Sequence, residues 1–225
     1  MQAKFVRREQ LAPKVYQFWF EPQWRLRFEP GQYLDMTLPH NNADNRGFTR
    51  TMSLTNIPSD ELLAITTKIP DDASSFKKAL MVLTPGGEVR LAEPMGDFIL
   101  PKNPTATLSF VASGVGIAPY ASMLKALQSN GQQRDIQLVY IARDQSSMAF
   151  SDLIDSLDWL KTIKILTSEQ PRPTPSELLK IISPNPEKLI YLAGSEPLME
   201  NYWLEFMQQG VNRQQMVLDF FPGYK

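Results

Sequence analysis

The stretch Ser109-Phe110-Val111-Ala112-Ser113-Gly114-Val115-Gly116-Ile117-Ala118-Pro119 decides the fold. An apolar, β-branched run reads as a buried strand. It breaks at two glycines one residue apart, and a helical pattern over 120–129 follows the proline. Glycines at a strand-to-helix turn let backbone N–H groups approach a phosphate, and the positive end of the helix dipole adds to the attraction. The pattern departs from G-x-G-x-x-G, because Pro119 stands where the third glycine would be. It also lies far from the N-terminus, where a dinucleotide-binding unit usually begins. About a hundred residues of another texture precede it, and that offset bears on function.

The 225 residues suffice for one large domain or two small ones. With 43% apolar and 21% charged residues, the composition is that of a globular protein. A formal net charge of −1 provides no global field for nucleic acid or anionic lipid. The chain contains no cysteine, which removes disulfides, thiolate nucleophiles and Cys-ligated zinc or iron–sulfur clusters. His40 is the sole histidine, so a histidine metal site or a Ser-His triad is disfavoured and no metal site is expected. Redox chemistry would therefore come from a bound organic cofactor. The charged first eight residues lack the apolar core of a secretory leader. Residues 103–124 carry no charge, yet their glycines, proline, serines and threonines fit strand–loop–helix better than a membrane span. The expectation is a soluble cytoplasmic protein without a transmembrane segment.

Residues 1 to about 100 read as short strands at 15–20, 32–38, 50–54, 62–69 and 88–91. Turn signals separate them, and one helix, 74–83, interrupts. This predicts a closed or nearly closed antiparallel β-barrel of Greek-key type. From Thr107 strands (107–112, 136–142, 162–166, 189–193, 216–220) alternate with helices (120–129, 150–160, 175–182, 196–209). That is a doubly wound α/β parallel sheet. The prolines of Pro101-Lys102-Asn103-Pro104 mark the linker, giving a β-barrel domain at 1–102 and an α/β nucleotide-binding domain at 103–225.

A β-barrel followed by a G-x-G-x-x-P α/β domain resembles the ferredoxin–NADP reductase superfamily. Six motifs match in order. Phe28-Glu29-Pro30-Gly31-Gln32-Tyr33 is similar to the family's F-x-P-G-Q-[FY] strand, and Arg50-Thr51-Met52-Ser53 to its flavin motif R-x-Y-[ST]. Gly96-Asp97-Phe98 resembles the G-x-F near the barrel's end, and Gly114 to Pro119 its nicotinamide loop. Gly194-Ser195-Glu196-Pro197-Leu198-Met199 is similar to C-G-P-x-x-M. Asp219-Phe220-Phe221-Pro222-Gly223-Tyr224 resembles the terminal E-x-F-G.

The resemblance implies FAD, with FMN less favoured, and NADPH or NADH as the nicotinamide substrate. Arg50 offers a planar five-donor fork for flavin phosphate oxygens, although an arginine on a strand edge is equally a surface charge. Ser53 is placed near the flavin N5, where a hydroxyl both donates and accepts. Met52 stands where the family stacks an aromatic ring; it would cover the flavin less rigidly, or serve as ordinary barrel core. Ser74, Ser75 and Phe76 open the barrel-domain helix, whose N–H groups face the flavin pyrophosphate in the family. Ser74 or Ser75 as a plain N-cap fits as well.

On the nicotinamide side, Gly114, Gly116 and Pro119 shape the loop, and Gly194, Glu196 and Pro197 the late segment. Arg143, after the second α/β strand, suits a 2′-phosphate, whereas the adjoining Asp144 suits a ribose hydroxyl, so the choice between NADH and NADPH stays open. Ala193 replaces the cysteine many relatives carry beside the nicotinamide. Glu196 and Asp219 are the carboxylates expected near the reaction centre. Phe221 is expected over the flavin face, or as an anchor for the C-terminus.

The resemblance thus implies hydride transfer from NAD(P)H to bound FAD, with Ser53, Asp219 and Phe221 at the reaction centre. Electrons would pass onward to a separate acceptor, a ferredoxin-like redox partner protein or a small molecule. Met52 and Ala193 motivate a second reading, a non-catalytic or regulatory flavin- or nucleotide-binding subunit. A ferric-chelate reductase of the same architecture is a third.

Overall fold

The computed structural model describes residues 1–221, with side chains through 219. Its first half is a six-stranded antiparallel sheet formed by β1 (Gln2–Ala12), β2 (Val15–Pro22), β3 (Tyr33–Thr37), β4 (Thr49–Ser53), β5 (Leu63–Lys68) and β6 (Glu88–Leu91), in the order β4-β3-β6-β1-β2-β5. The sheet curls until its two edges meet just beyond β4. There Leu54 bridges Ile65, and Thr55 N donates to Ala64 O at 2.8 Å. The predicted barrel is therefore a curled sheet with one bridged seam, not a closed ladder. Phe5, Phe18 and Phe20 fill it, with Phe5 5.7 Å from Phe20 and 6.2 Å from Phe18 between ring centroids. The helix α1 (Ser75–Val82) lies between β5 and β6 and buries Phe76 and Leu80, four residues apart and so on one face.

The strand β1 was not expected. Of its residues only Ala3, Phe5 and Ala12 are buried, and the charged run from Arg7 to Gln10 is exposed. Its signal is weak because pairing with β2 on one side and β6 on the other holds it, not its own pattern.

The second half is a five-stranded parallel sheet of β7 (Leu108–Ser113), β8 (Ile136–Ala142), β9 (Lys161–Leu166), β10 (Leu189–Ser195) and β11 (Met216–Phe221), ordered β11-β10-β7-β8-β9. Neighbouring residues of β7 face opposite layers. Phe110 packs under α2 (Ala118–Ser129) with Tyr120, their rings stacked at 4.6 Å. Val111 joins Ile190 and Leu192 in the layer under α4 (Pro175–Ile182) and α5 (Glu196–Gln208). Burial on both faces explains the uninterrupted apolar run in the sequence. The predicted 150–160 helix shrinks to α3 (Ser151–Asp155). It ends early because Ser156 Oγ turns back onto Leu153 O at 2.7 Å, competing with continued helix.

The two sheets pack together through α2. Ser122 Oγ donates to Asn56 O at 2.6 Å and Lys125 Nζ to Thr55 O at 2.8 Å, so α2 is fastened to consecutive carbonyls just past β4. Tyr191 Oη also donates to Ile99 O at 2.7 Å. Among the described residues no helix is long and apolar enough to cross a membrane.

Candidate functional site

Strand order reverses at β7, so the segments leaving β7 and β10 flank one point at the carboxyl edge of the parallel sheet. Doubly wound sheets take their ligands at such a switch point. The β7 turn is the 3₁₀ segment Gly114–Ile117, and β10 ends on Gly194 and Ser195, which lead straight into α5. A Cβ on Gly116 would lie 2.2 Å from Ala193 O, so only glycine lets the β7 turn approach the end of β10 this closely. Gly114, at φ +57°, adopts the left-handed backbone that glycine favours. Both following helices carry a proline in the first turn, Pro119 in α2 and Pro197 in α5, and neither has a side-chain cap. Their first-turn N–H groups are thus not claimed by a capping side chain. Glu196, half-buried, is the first residue of α5.

Asp219 stands on β11 in register with Ala193 and meets Ser53 at the end of β4. The Ser53 hydroxyl, 5% exposed, lies beside the Asp219 carboxyl across the boundary between the sheets. Oδ2 of Asp219 is sealed from solvent and has no partner. Burial pushes this carboxyl up to about 7, and the nearby Ser53 hydroxyl offsets only part of the shift. Tyr120 lies close enough to feel Asp219: burial first and then this charge raise its phenol far above the usual range. The structure thus brings Ser53, Asp219, Gly114, Gly116 and Gly194 into one neighbourhood. Strand pairing places the Phe221 backbone opposite Ser195, while its side chain lies outside the described residues, as do residues 222–225.

A second cluster lies around Arg50, three residues back along β4. Arg50, 7% exposed, has its Nη1 shared by the carbonyls of Arg46, Gly47 and Thr49 at 2.8–3.0 Å. Its Nη2 donates to Asp44 Oδ1 at 2.9 Å, and its buried Nε has no partner. The guanidinium lies 5.4 Å over the ring of Phe76, which is wholly buried. At the start of α1, Ser74 caps the Lys77 N–H and Ser75 N donates to Asp44 Oδ2 at 3.1 Å. Ser75 Oγ accepts from Asp44 N and meets His40 Nε2, each at 2.9 Å. Burial, and then Arg46, Arg50 and Lys68, push the Lys77 ammonium down to about 7.

Two residues of the motif point elsewhere. Met52 is buried among the barrel's core side chains. Thr51 is exposed and donates to Asp35 Oδ1 at 2.7 Å. Arg143 is exposed past the end of β8, remote in sequence from both clusters. Asp144 Oδ1 already accepts from Ser146 Oγ, Ser147 N and Ser147 Oγ at 2.7–2.9 Å, so it serves the turn that follows. Sequence reasoning missed Asp44, Lys77 and the His40 contact. The Asp-Asn-Arg-Gly turn marks Asp44 as a turn former, and Arg46 N does donate to it at 3.0 Å. Nothing in the spacing joins it to a helix 31 residues later.

Comparison with known proteins agrees with this geometry. Residues 110–203 match the oxidoreductase NAD-binding domain. The chain is 31% identical over 186 residues to the ferredoxin reductase component of a 3-ketosteroid-9-alpha-monooxygenase of Mycobacterium tuberculosis, a match over 80% of this chain and 51% of that protein. It thus spans about half the length of that relative. In fold it is similar to the ferredoxin-NADP+ reductase of Plasmodium falciparum, with a TM-score of 0.81 at 16% identity over 98% of this chain and 95% of that one. It is also similar to a ferredoxin NADP+ reductase of Neisseria gonorrhoeae with bound FAD and NADP, with a TM-score of 0.78 at 17% identity over 98% of each chain. With its curled antiparallel sheet, its parallel sheet and the glycine turn leaving β7, the chain belongs to the ferredoxin–NADP reductase superfamily.

Proposed function

We propose that this chain is an NAD(P)H-dependent flavin oxidoreductase that binds FAD along β4 and passes electrons to a separate redox partner. The approach of Ser53 to Asp219 carries this reading, because it brings the end of the antiparallel strand against the nicotinamide-side sheet. The residues present fit both cofactors. Arg50 keeps a buried, unpartnered Nε, Asp219 an unpartnered Oδ2, and Gly116 the close approach that a side chain would block. Arg50 and Ser53 stand three positions apart on the strand, about 10 Å, a span suited to a flavin's phosphate at one end and its ring at the other.

When bound, the flavin supplies the redox centre that takes a hydride from the nicotinamide. The chain's own residues position and protonate. Ser53 Oγ and Asp219 form a pair in which protonated and ionised carboxyl coexist near neutrality, so a proton is held or released at Asp219. Gly114, Gly116, Pro119, Gly194, Glu196 and Pro197 shape the nicotinamide side. Exposed Arg143 serves a 2′-phosphate, since Asp144 is committed to its turn. The division into a flavin domain at 1–102 and a nucleotide domain at 103–225 follows the two sheets.

The relative named as a ferredoxin reductase component favours an iron–sulfur protein as acceptor. This chain has no cysteine, so any cluster resides elsewhere. An absorption spectrum tests the reading. Protein reconstituted with FAD should show flavin bands that NADH or NADPH bleaches without oxygen, with electrons then passing to an added ferredoxin. A protein that takes up no flavin, or whose flavin neither nucleotide reduces, refutes it.

A further inference from the structure

The start of α1 and the Arg50 guanidinium form one anion cradle, and a carboxylate of the chain itself already sits in it. Asp44 Oδ1 takes Arg50 Nη2 at 2.9 Å while Oδ2 takes Ser75 N at 3.1 Å. Nη1 is used up by three carbonyls, Nε is sealed from solvent without a partner, and Asp44 occupies Nη2. A phosphate that takes Arg50 Nη2 and Ser75 N together therefore displaces the Asp44 carboxylate. We propose that Asp44 is an intramolecular competitor for the flavin's phosphates, so that FAD enters and leaves by exchanging phosphate for carboxylate in one cradle. This rests on the flavin site proposed above.

Three observations support the exchange. First, the cradle is cationic: burial first and then Arg46, Arg50 and Lys68 bear on the Lys77 ammonium. A doubly charged pyrophosphate is drawn to that field more strongly than the single charge of Asp44. Second, the two anions exclude each other. Burial raises the Asp44 carboxyl, but the bonds from Arg46 and Ser75 and the charge of Arg50 lower it further, so it stays ionised. A phosphate beside it would meet like charge. Third, the competitor is placed to leave. The Asp44 side chain is 29% exposed against 7% for Arg50, so a displaced carboxylate returns to water while the guanidinium stays in the protein. Asp44 thereby sets preference among flavins, because riboflavin has no phosphate to exchange and escapes the competition.

Titration of the flavin-free full chain with FAD and with riboflavin, followed by flavin fluorescence, tests this. Asp44→Asn keeps the shape and a capping oxygen but removes the charge. It should bind FAD about tenfold more tightly and release it more slowly, with riboflavin affinity unchanged. Asp44→Ser, which retains a capping hydroxyl, should shift FAD in the same direction and serves if the first variant folds poorly. Arg50→Ala should weaken FAD binding. If both Asp44 variants bind FAD equally or more weakly than the wild type while Arg50→Ala still weakens it, the exchange is overturned and the flavin site stands. Riboflavin tightening as much as FAD also overturns the exchange. If Arg50→Ala leaves FAD binding untouched, the phosphate site itself is misplaced and the exchange falls with it.

Discussion

Replacing Asp219 by Asn should remove a pH dependence of stability that the wild-type chain carries. In the folded protein burial raises this carboxyl from the ordinary 3.8 to about 7. Between those values the folded chain holds a proton that the unfolded chain has released. By linkage, stability then declines as pH rises through that window and levels off above it. The gap corresponds to at most about 4 kcal/mol. Asp219 is only half-buried, and water screening its outer edge brings the working figure to about 2 kcal/mol. Asparagine mimics the neutral acid: it keeps the shape and one oxygen and never ionises. Urea unfolding of the flavin-free protein at pH 5, 6, 7 and 8 covers about two of the three pH units in that window, so the variant should gain on the wild type by about 1 kcal/mol across the series. Lys77 works in the opposite sense. Its ammonium is pushed down to about 7 from 10.5, so it adds stability as pH rises between those values. The difference between variant and wild type cancels that contribution and isolates Asp219. Parallel pH curves for the two proteins would refute a protonated, buried Asp219 and with it the proton-holding role of the Ser53–Asp219 pair.

Arg143→Ala should raise the Michaelis constant for NADPH severalfold and leave that for NADH nearly unchanged; equal effects on both place Arg143 outside the 2′-phosphate site. Gly116→Ala drives a methyl into Ala193 O, 2.2 Å from the ideal Cβ position, so the β7 turn and the end of β10 must part. Calorimetry should then show nicotinamide affinity lost at least tenfold while FAD titrates normally. Ser122→Ala deletes the 2.6 Å bond to Asn56 O and should cost about 1 kcal/mol of stability. Because α2 runs from the nicotinamide turn to the carbonyls past β4, it should also slow flavin reduction measured by stopped flow at saturating nucleotide.

The sequence by itself determined whatever depends on local pattern. The switch from short alternating strands to βα units, the double-faced apolar run of β7 and the glycine turn into α2 are each readable within a dozen residues. Periodicity and turn chemistry act at that range. The motif Arg50 to Ser53 was likewise visible as a strand with one basic and two hydroxyl residues. Tertiary structure decided the rest. The strand β1 exists because β2 and β6 claim both its edges, although its own pattern is mostly charged. Met52, a candidate flavin cover from its motif position, points into the barrel core because strand alternation and sheet curvature place it there. Asp44 is 31 residues from Ser75, and Asp219 is 166 from Ser53, yet each meets its partner in the fold. Charge and burial at such meetings depend on which residues the chain brings together across sheets. A side chain's one-dimensional neighbours do not report the dielectric and the partners that set its ionisation.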